Sequence, residues 1–240
     1  MQTTLEKTVR EIALENPSSI RVFESLGIDY CCGGKRALSD ACSHANVDYT
    51  RTLELLESAK RDPQAPEAGE WKEKRLSNLI AYIVGKHHGY ARRETPRIQG
   101  LMAKVAAKHG ATHTELAPIE RLFTEIGQEL STHMLKEEQV LFPYIVRMEE
   151  AVAAGEPAPA AFFGSVKRPI ANMIAEHDDA GALLSQIRAL SNGYAAPAGA
   201  CPTFLALYRG LEEFERELHH HVHLENNILF PRAVAMEQAQ

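Results

Sequence analysis

Four residue positions carry the chemistry that this chain announces first. The phrase His-x3-Glu-x3-Leu-Phe-Pro occurs twice, as "HMLKEEQVLFP" from His133 to Pro143 and as "HVHLENNILFP" from His221 to Pro231, 88 residues apart. Imidazole and carboxylate are metal-ligand types, and on a helix residues four apart lie about 5–6 Å from each other on one face. Each pair can therefore present both ligand types to one centre. Both pairs also fall inside apolar stripes. Ile119, Leu122, Ile126, Leu130, His133, Glu137, Val140 and Tyr144 follow helical spacing, as do Leu211, Phe214, Leu218, His221, Glu225 and Ile228. Two further stripes contain a histidine. Ile170, Ile174, His177, Gly181 and Leu184 form one. In the other, His87 shares a face with Ile80, Ile83 and Tyr90, while His88 shares one with Ala81, Val84 and Ala91, and periodicity leaves that choice open.

The spacings describe a two-fold repeat. His88 precedes His133 by 45 residues, and His177 precedes His221 by 44. Each half reads as a helix with one histidine, a turn, and a helix with His-x3-Glu. Buried carboxylates and imidazoles without compensation cost several kcal/mol per charge, which a metal site removes. Four imidazoles and two carboxylates exceed the needs of a tetrahedral zinc. They suit two metals, each with two histidines, sharing two bridging carboxylates and a solvent-derived oxygen, with room for a small ligand. The donor set favours iron, with manganese chemically close. The bland alternative, surface ion pairs plus ordinary core histidines, fits any single residue better than it fits the doubled set.

Long helices must position these residues. Helical periodicity predicts four stretches, at 73–109, 116–153, 165–191 and 203–236, separated by "HGATHTELAP", "AGEPAPAAFFG" and "SNGYAAPAGACP". No segment alternates like a strand. The expectation is an all-α chain whose residues 73–240 form an antiparallel four-helix bundle. Residues 1–61 read as a small helical unit, with a break at Asn16-Pro17, Gly27 as a C-cap and Asp48 as an N-cap. Residues 62–72, with "DPQAPEAG", read as a linker.

Composition narrows the function classes. The 240 residues carry a formal charge of -6, which disfavours nucleic-acid binding, and no apolar run is long enough to span a membrane. Four cysteines, two of them adjacent, indicate a reducing cytoplasm rather than a disulfide scaffold. Cys31 and Cys32 stand in "DYCCGGKR", a glycine turn expected to expose them, with Lys35 and Arg36 placed to stabilise thiolate. They are candidate redox or iron-transfer thiols. Glu138 reads as a solvated neighbour of Glu137, and His219, His220 and His223 as surface residues, with room for one supporting role. His109 and His113 fall in a loop. Leu-Phe-Pro reads as core packing followed by a proline kink or stop.

"DYCCGGKR" on a small N-terminal unit, followed by the two His-x3-Glu phrases on a bundle, resembles the Repair of Iron Centres proteins of the YtfE/ScdA/DnrN type. The resemblance covers almost the whole chain. It implies a hemerythrin-like bundle with two iron ions per chain, oxygen-bridged, and bridging carboxylates at Glu137 and Glu225. By its register "HHGYARRETP" places the first-helix ligand at His88, beside His133, His177 and His221, with His87 a local departure. It implies a cytoplasmic monomer or homodimer that repairs iron–sulfur clusters damaged by nitrosative or oxidative stress by supplying labile iron. Its partners are then damaged iron–sulfur proteins as clients, and nitric oxide or oxygen as small ligands. A nitric oxide reductase, and an oxygen or nitric oxide binding or sensing module, are the alternatives at the same centre.

Overall fold

A computed structural model of the chain describes residues 7–59, 71 and 73–239. Of the expected linker at 62–72, only Trp71 lies within the described residues. The architecture is all-α. Among the described residues, β pairing is limited to the isolated bridges Thr8–Ala37 and Ala161–Gly164.

Four short helices build the N-terminal unit: α1 (Val9–Glu15), α2 (Ser19–Leu26), α3 (Leu38–Ala45) and α4 (Tyr49–Ala59). A capping box starts α1, in which Glu11 N–H donates to Thr8 Oγ1 at 3.2 Å and Thr8 N–H to the Glu11 carboxylate at 2.8 Å. Gly27 ends α2 at φ 66°, a conformation that glycine adopts without a Cβ penalty. Asp48 accepts the Arg51 N–H at 2.7 Å and so caps α4. Val9, Ile20, Phe23, Tyr30, Leu38 and Leu56 form the core of this unit.

The bundle consists of four rods. The first is α5 (Leu76–Tyr82), a π-helical turn π1 (Ile83–His88) and α6 (Gly89–His109). The second is α7 (Leu116–Lys136), π2 (Glu137–Leu141) and α8 (Phe142–Ala154). The third is α9 (Lys167–Leu190) alone, and the fourth is α10 (Pro202–Leu224), π3 (Glu225–Leu229) and α11 (Phe230–Gln238). Within the bundle α6 packs on α7 and α10, and α7 packs on α9. Two separate apolar clusters result. One is built around Ile98, Phe123, Phe204 and Phe214, the other around Leu79, Phe142, Ile145 and Phe230.

The π turns depart from the continuous α-helices that periodicity predicts. In an α-helix, residues five apart point about 140° away from each other. Phe142 N–H donates to the Glu137 carbonyl, and Phe230 N–H to the Glu225 carbonyl, both five residues back. That wider turn lets the glutamate and the phenylalanine both face the core. The proline does not stop either rod. Pro143 and Pro231 sit in the first turn of α8 and α11, where a missing N–H costs nothing.

A second doubled feature lies beyond the repeat phrase. Glu149 and Glu237 each stand 12 residues after the phrase glutamate. Glu149 accepts the Leu76 and Ser77 N–H groups at 2.5 and 3.1 Å and thereby caps α5. Glu237 accepts the Val166 N–H at 2.8 Å and the Ser165 hydroxyl at 2.6 Å at the start of α9. Each half of the bundle thus has a carboxylate from its second rod holding the first turn of its first rod. Burial works against the Glu149 charge, but these N–H groups and Arg75 overcome it and hold the carboxyl below its usual value. We expect Glu149→Ala to lower unfolding stability by about 1–2 kcal/mol, read in urea denaturation. The wild-type contribution is present above the usual carboxyl pKa and is lost as pH falls through the depressed value.

Candidate metal centre

Six side chains converge between the two apolar clusters. His88, at the end of π1, and His221, near the end of α10, bring their Nε2 atoms to 3.2 Å. His133 in α7 and His177 in α9 bring theirs to 3.0 Å. Glu137 and Glu225, which open π2 and π3, lie among the four rings. Glu137 Oε2 stands 3.4 Å from both His88 and His133. Glu225 Oε1 is 2.9 Å from His221, and its Oε2 is 3.1 Å from His177. Donor atoms of His88, Glu137, His221 and Glu225 all lie within 4.8 Å of one another, and so do those of His133, Glu137, His177 and Glu225. The two groups share both carboxylates.

This donor set fits two cations. Glu137 and Glu225 are 0% exposed, and neither oxygen of Glu137 nor Oε2 of Glu225 has a well-formed hydrogen bond. Buried carboxylate oxygens of that kind require positive charge nearby. Imidazole lone pairs facing each other at 3.0–3.2 Å likewise repel unless a proton or a cation lies between them. Without metal the protons go to His133 and His88. Burial opposes charging His133, but Glu137, Glu225 and Glu176 outweigh it and raise the imidazole to about 9. His88 shifts upward by the same balance. His221 is lowered by its complete burial, against the pull of Glu225. Glu225 is held well below the usual carboxylate range, because His221 and His177 overcome its desolvation.

The Nδ1 side of the rings shows what orients them. His88 Nδ1 lies 2.5 Å from Glu138, which also accepts from Arg92 at 2.7 Å. His133 Nδ1 lies 2.8 Å from Glu176, which also holds Lys136. His177 Nδ1 lies 3.0 Å from Asn226. Partners of this kind set the tautomer and aim Nε2 inward. Phe142 stacks on His88 with centroids 5.9 Å apart, and Phe230 on His177 at 6.2 Å. Leu-Phe-Pro therefore does more than pack: its phenylalanine steadies the histidine ring of the preceding rod. In the first half the residue after the phrase glutamate is Glu138, and in the second it is Asn226, so the same position orients a histidine in both.

Several sequence expectations are corrected here. Glu138 is not simply solvated, because the π2 turn swings it onto His88. His223 is 1% exposed, and His219 and His220 are half-buried. All three rings pack on Tyr30 of the N-terminal unit, with centroids 5.5–6.4 Å away. Burial pushes His220 down to about 4 and His223 to about 3, so both are neutral at pH 7. Their face of α10 looks exposed in sequence only because the N-terminal unit that covers it is remote in the chain. His87 is buried away from the Nε2 cluster, with Nδ1 2.8 Å from Glu217 and its ring stacked on His221 at 5.7 Å.

The cysteine turn also differs from its expected form. Asp29 accepts the N–H groups of Cys31, Cys32 and Gly33 at 3.0, 3.0 and 2.8 Å and folds the turn around its carboxylate. Cys31 is buried, with Sγ 3.8 Å from Cys32 Sγ and 3.3 Å from Asp29. Its hydrogen bond with Cys32, its burial and the Asp29 charge hold the thiol well above its usual value. Lys35 and Arg36 are exposed and do not reverse this. Cys32 is half-buried and meets the His177 carbonyl at 3.7 Å, which places the turn over the rod that carries His177. All four cysteines are free.

Comparison with known proteins agrees with this geometry. The hemerythrin HHE cation binding domain matches residues 79–233, and ScdA_N, a domain of unknown function, matches residues 5–60. The iron–sulfur cluster repair protein YtfE of Pectobacterium atrosepticum is 36% identical over 232 residues, 97% of this chain and 98% of that protein. Its namesake in Yersinia pseudotuberculosis is 35% identical over 226 residues, 94% and 96% of the two chains. This chain belongs to the YtfE family. The hemerythrin domain in this family member accounts for the all-α bundle and brings di-iron binding with it.

Iron must displace the protons that His133 and His88 hold. Loading should release protons, and apparent iron affinity should rise with pH between about 6.5 and about 9, read by chelator competition. The metal-free protein should behave in the opposite sense. His133 is raised in the folded state, so its contribution to stability is complete below pH 6.5 and is lost as pH rises through about 9.

Proposed function

We propose that this chain is a di-iron protein that repairs damaged iron–sulfur clusters by supplying iron. The observation that carries the reading is the shared pair of buried carboxylates, Glu137 and Glu225, between two histidine pairs. His88 and His221 would hold one iron, and His133 and His177 the other, with Glu137 and Glu225 bridging both. When bound, such a pair supplies exchangeable iron and open positions for a diatomic ligand such as nitric oxide or oxygen. The chain's own contribution is positional. Glu138, Glu176 and Asn226 hold the rings in register. The two apolar clusters exclude water from either side, and the orphan carboxylate oxygens supply the negative charge that retains a cation.

Carboxylate bridges are softer than a cage of imidazoles, because each can move between shared and terminal binding. That property suits a protein that must release what it holds. Residues 1–61 act as a separate thiol-bearing unit on this reading. Residues 62–72 join it to the bundle of 73–240, and the clients are damaged iron–sulfur proteins in the cytoplasm. No helix of the described residues is long and apolar enough to cross a membrane. The family relatives carry the name iron–sulfur cluster repair protein, which supports the reading over a plain carrier.

The test uses an iron–sulfur enzyme inactivated with nitric oxide. Iron-loaded protein should restore its activity, and Glu225→Leu should restore much less while keeping its helical circular dichroism. The variant should also retain about one iron where the wild type retains two, with affinity for the other falling about 10–100-fold or more. Full retention of both irons by Glu225→Leu would overturn the assignment of a bridge. Multiple turnovers of nitrous oxide from reduced protein, without client recovery, would move the function to nitric oxide reduction.

A further inference from the structure

The N-terminal unit meets the surroundings of the centre chiefly at the π3 turn. Three consecutive residues there do three different things. Glu225 lies among the ligand rings, Asn226 orients His177, and Asn227 binds the N-terminal unit. Both amide protons of Asn227 are used: Nδ2 donates to the Tyr30 carbonyl at 3.1 Å and to His223 Nδ1 at 2.9 Å. Its backbone carbonyl is available because Pro231, four residues on, has no N–H to offer. The Arg10 guanidinium takes it at 3.1 Å. That guanidinium is half-buried, and Asn227 is 6% exposed. Tyr30 itself is seated against His219, His220 and His223 and donates its hydroxyl to Glu24 at 3.0 Å.

The other half of the bundle has no such grip. In π2 the residue equivalent to Asn227 is Gln139, which is exposed. The unit's second contact falls on the same side as the first, where Cys32 Sγ meets the His177 carbonyl. An otherwise two-fold centre is therefore held asymmetrically, at Glu225 and His177.

We propose that the N-terminal unit is a clamp on the π3 turn, with Asn227 and Arg10 as positioning residues for Glu225 and Asn226, and that the iron between His133 and His177 leaves when the clamp opens. This inference rests on the iron-supplying reading above. Docked, the unit holds the π3 backbone in the wide turn that keeps Glu225 inward. Undocked, Asn227 loses the Tyr30 carbonyl and the Arg10 guanidinium, and the turn is free to relax toward α-helix, which swings Glu225 and Asn226 away from the ring of His177. A client that displaces the unit would thus unload iron where it binds.

The experiment measures iron transfer from the full-length loaded protein to a strong ferrous chelator, with no client present. Asn227→Ala and Arg10→Ala should each speed the loss of one iron per chain about tenfold or more and leave the second near its wild-type rate. Arg10→Lys, which still donates to the Asn227 carbonyl, should restore most of the wild-type rate. Glu149→Ala, remote from the clamp, controls for general loss of stability and should not change release. The lock works in the other direction. A Cβ at Gly181 would stand 3.8 Å from Cys32 Sγ, so Gly181→Cys can be oxidised to tie the unit to α9. The oxidised form should release iron more slowly than the same protein reduced. Wild-type release rates in Asn227→Ala and Arg10→Ala, equal acceleration of both irons, or no effect of the lock would each overturn the clamp. Because no client is present, these results stand apart from the repair assay, whose failure alone would leave the clamp intact but without its proposed purpose.

Discussion

Everything in the bundle answers to one electrostatic constraint. Two carboxylates with no solvent exposure sit among four imidazoles in the middle of an apolar core. Burying such groups costs several kcal/mol for each charge unless cations meet them. The fold places the six donors where cations can be met by both carboxylates at once, and it divides the apolar core into two clusters to make room. Stability and metal binding are therefore linked. The metal-free protein keeps the site tolerable by holding protons on His133 and His88, and the loaded protein replaces those protons with metal.

The two-fold repeat extends well beyond the ligands. Glu149 and Glu237 cap the first rod of each half, Phe142 and Phe230 stack on its histidine, and Glu138 and Asn226 orient that same ring. Each of these residues lies at the same distance from its phrase glutamate in both halves. The π turns make the pattern possible, because they bring a glutamate and a phenylalanine five residues apart onto one side. The symmetry breaks in two places. At the N-terminal unit Asn227 is gripped while Gln139 is exposed, and in the first rod His87 stands in the place that Glu176 fills in the other half.

The six central donors were legible in the sequence because helical periodicity places them in apolar stripes, and a metal explains why ionisable residues would be there. His87 against His88 was not legible from periodicity, since both belong to an acceptable stripe. The π1 turn decides it by rotating His88 inward and His87 toward Glu217. Glu138, next to Glu137 and charged, looked like surface for the same reason: an α-helical wheel cannot show a π turn. The signal that was available is the doubled glutamate at 12 residues and the residue after each phrase glutamate, read across the repeat rather than along one helix. The cysteine turn was misjudged through its neighbours. Lys35 and Arg36 are adjacent in sequence, but Asp29, two residues before Cys31, is adjacent in space.

By itself the sequence determined the class of fold, the rods and their order, the donor set and its two-fold doubling. These follow from periodicity and chemical type, which are local properties of a chain. The tertiary structure alone decided which face of α10 is covered, which way each π turn aims its side chains, and where the thiol turn rests. Those depend on contacts between residues as far apart as Arg10 and Asn227, whose 217-residue separation no local pattern records. A helical face is read as buried or exposed from its own residues, and His219, His220 and His223 read as exposed until another part of the chain lies across them.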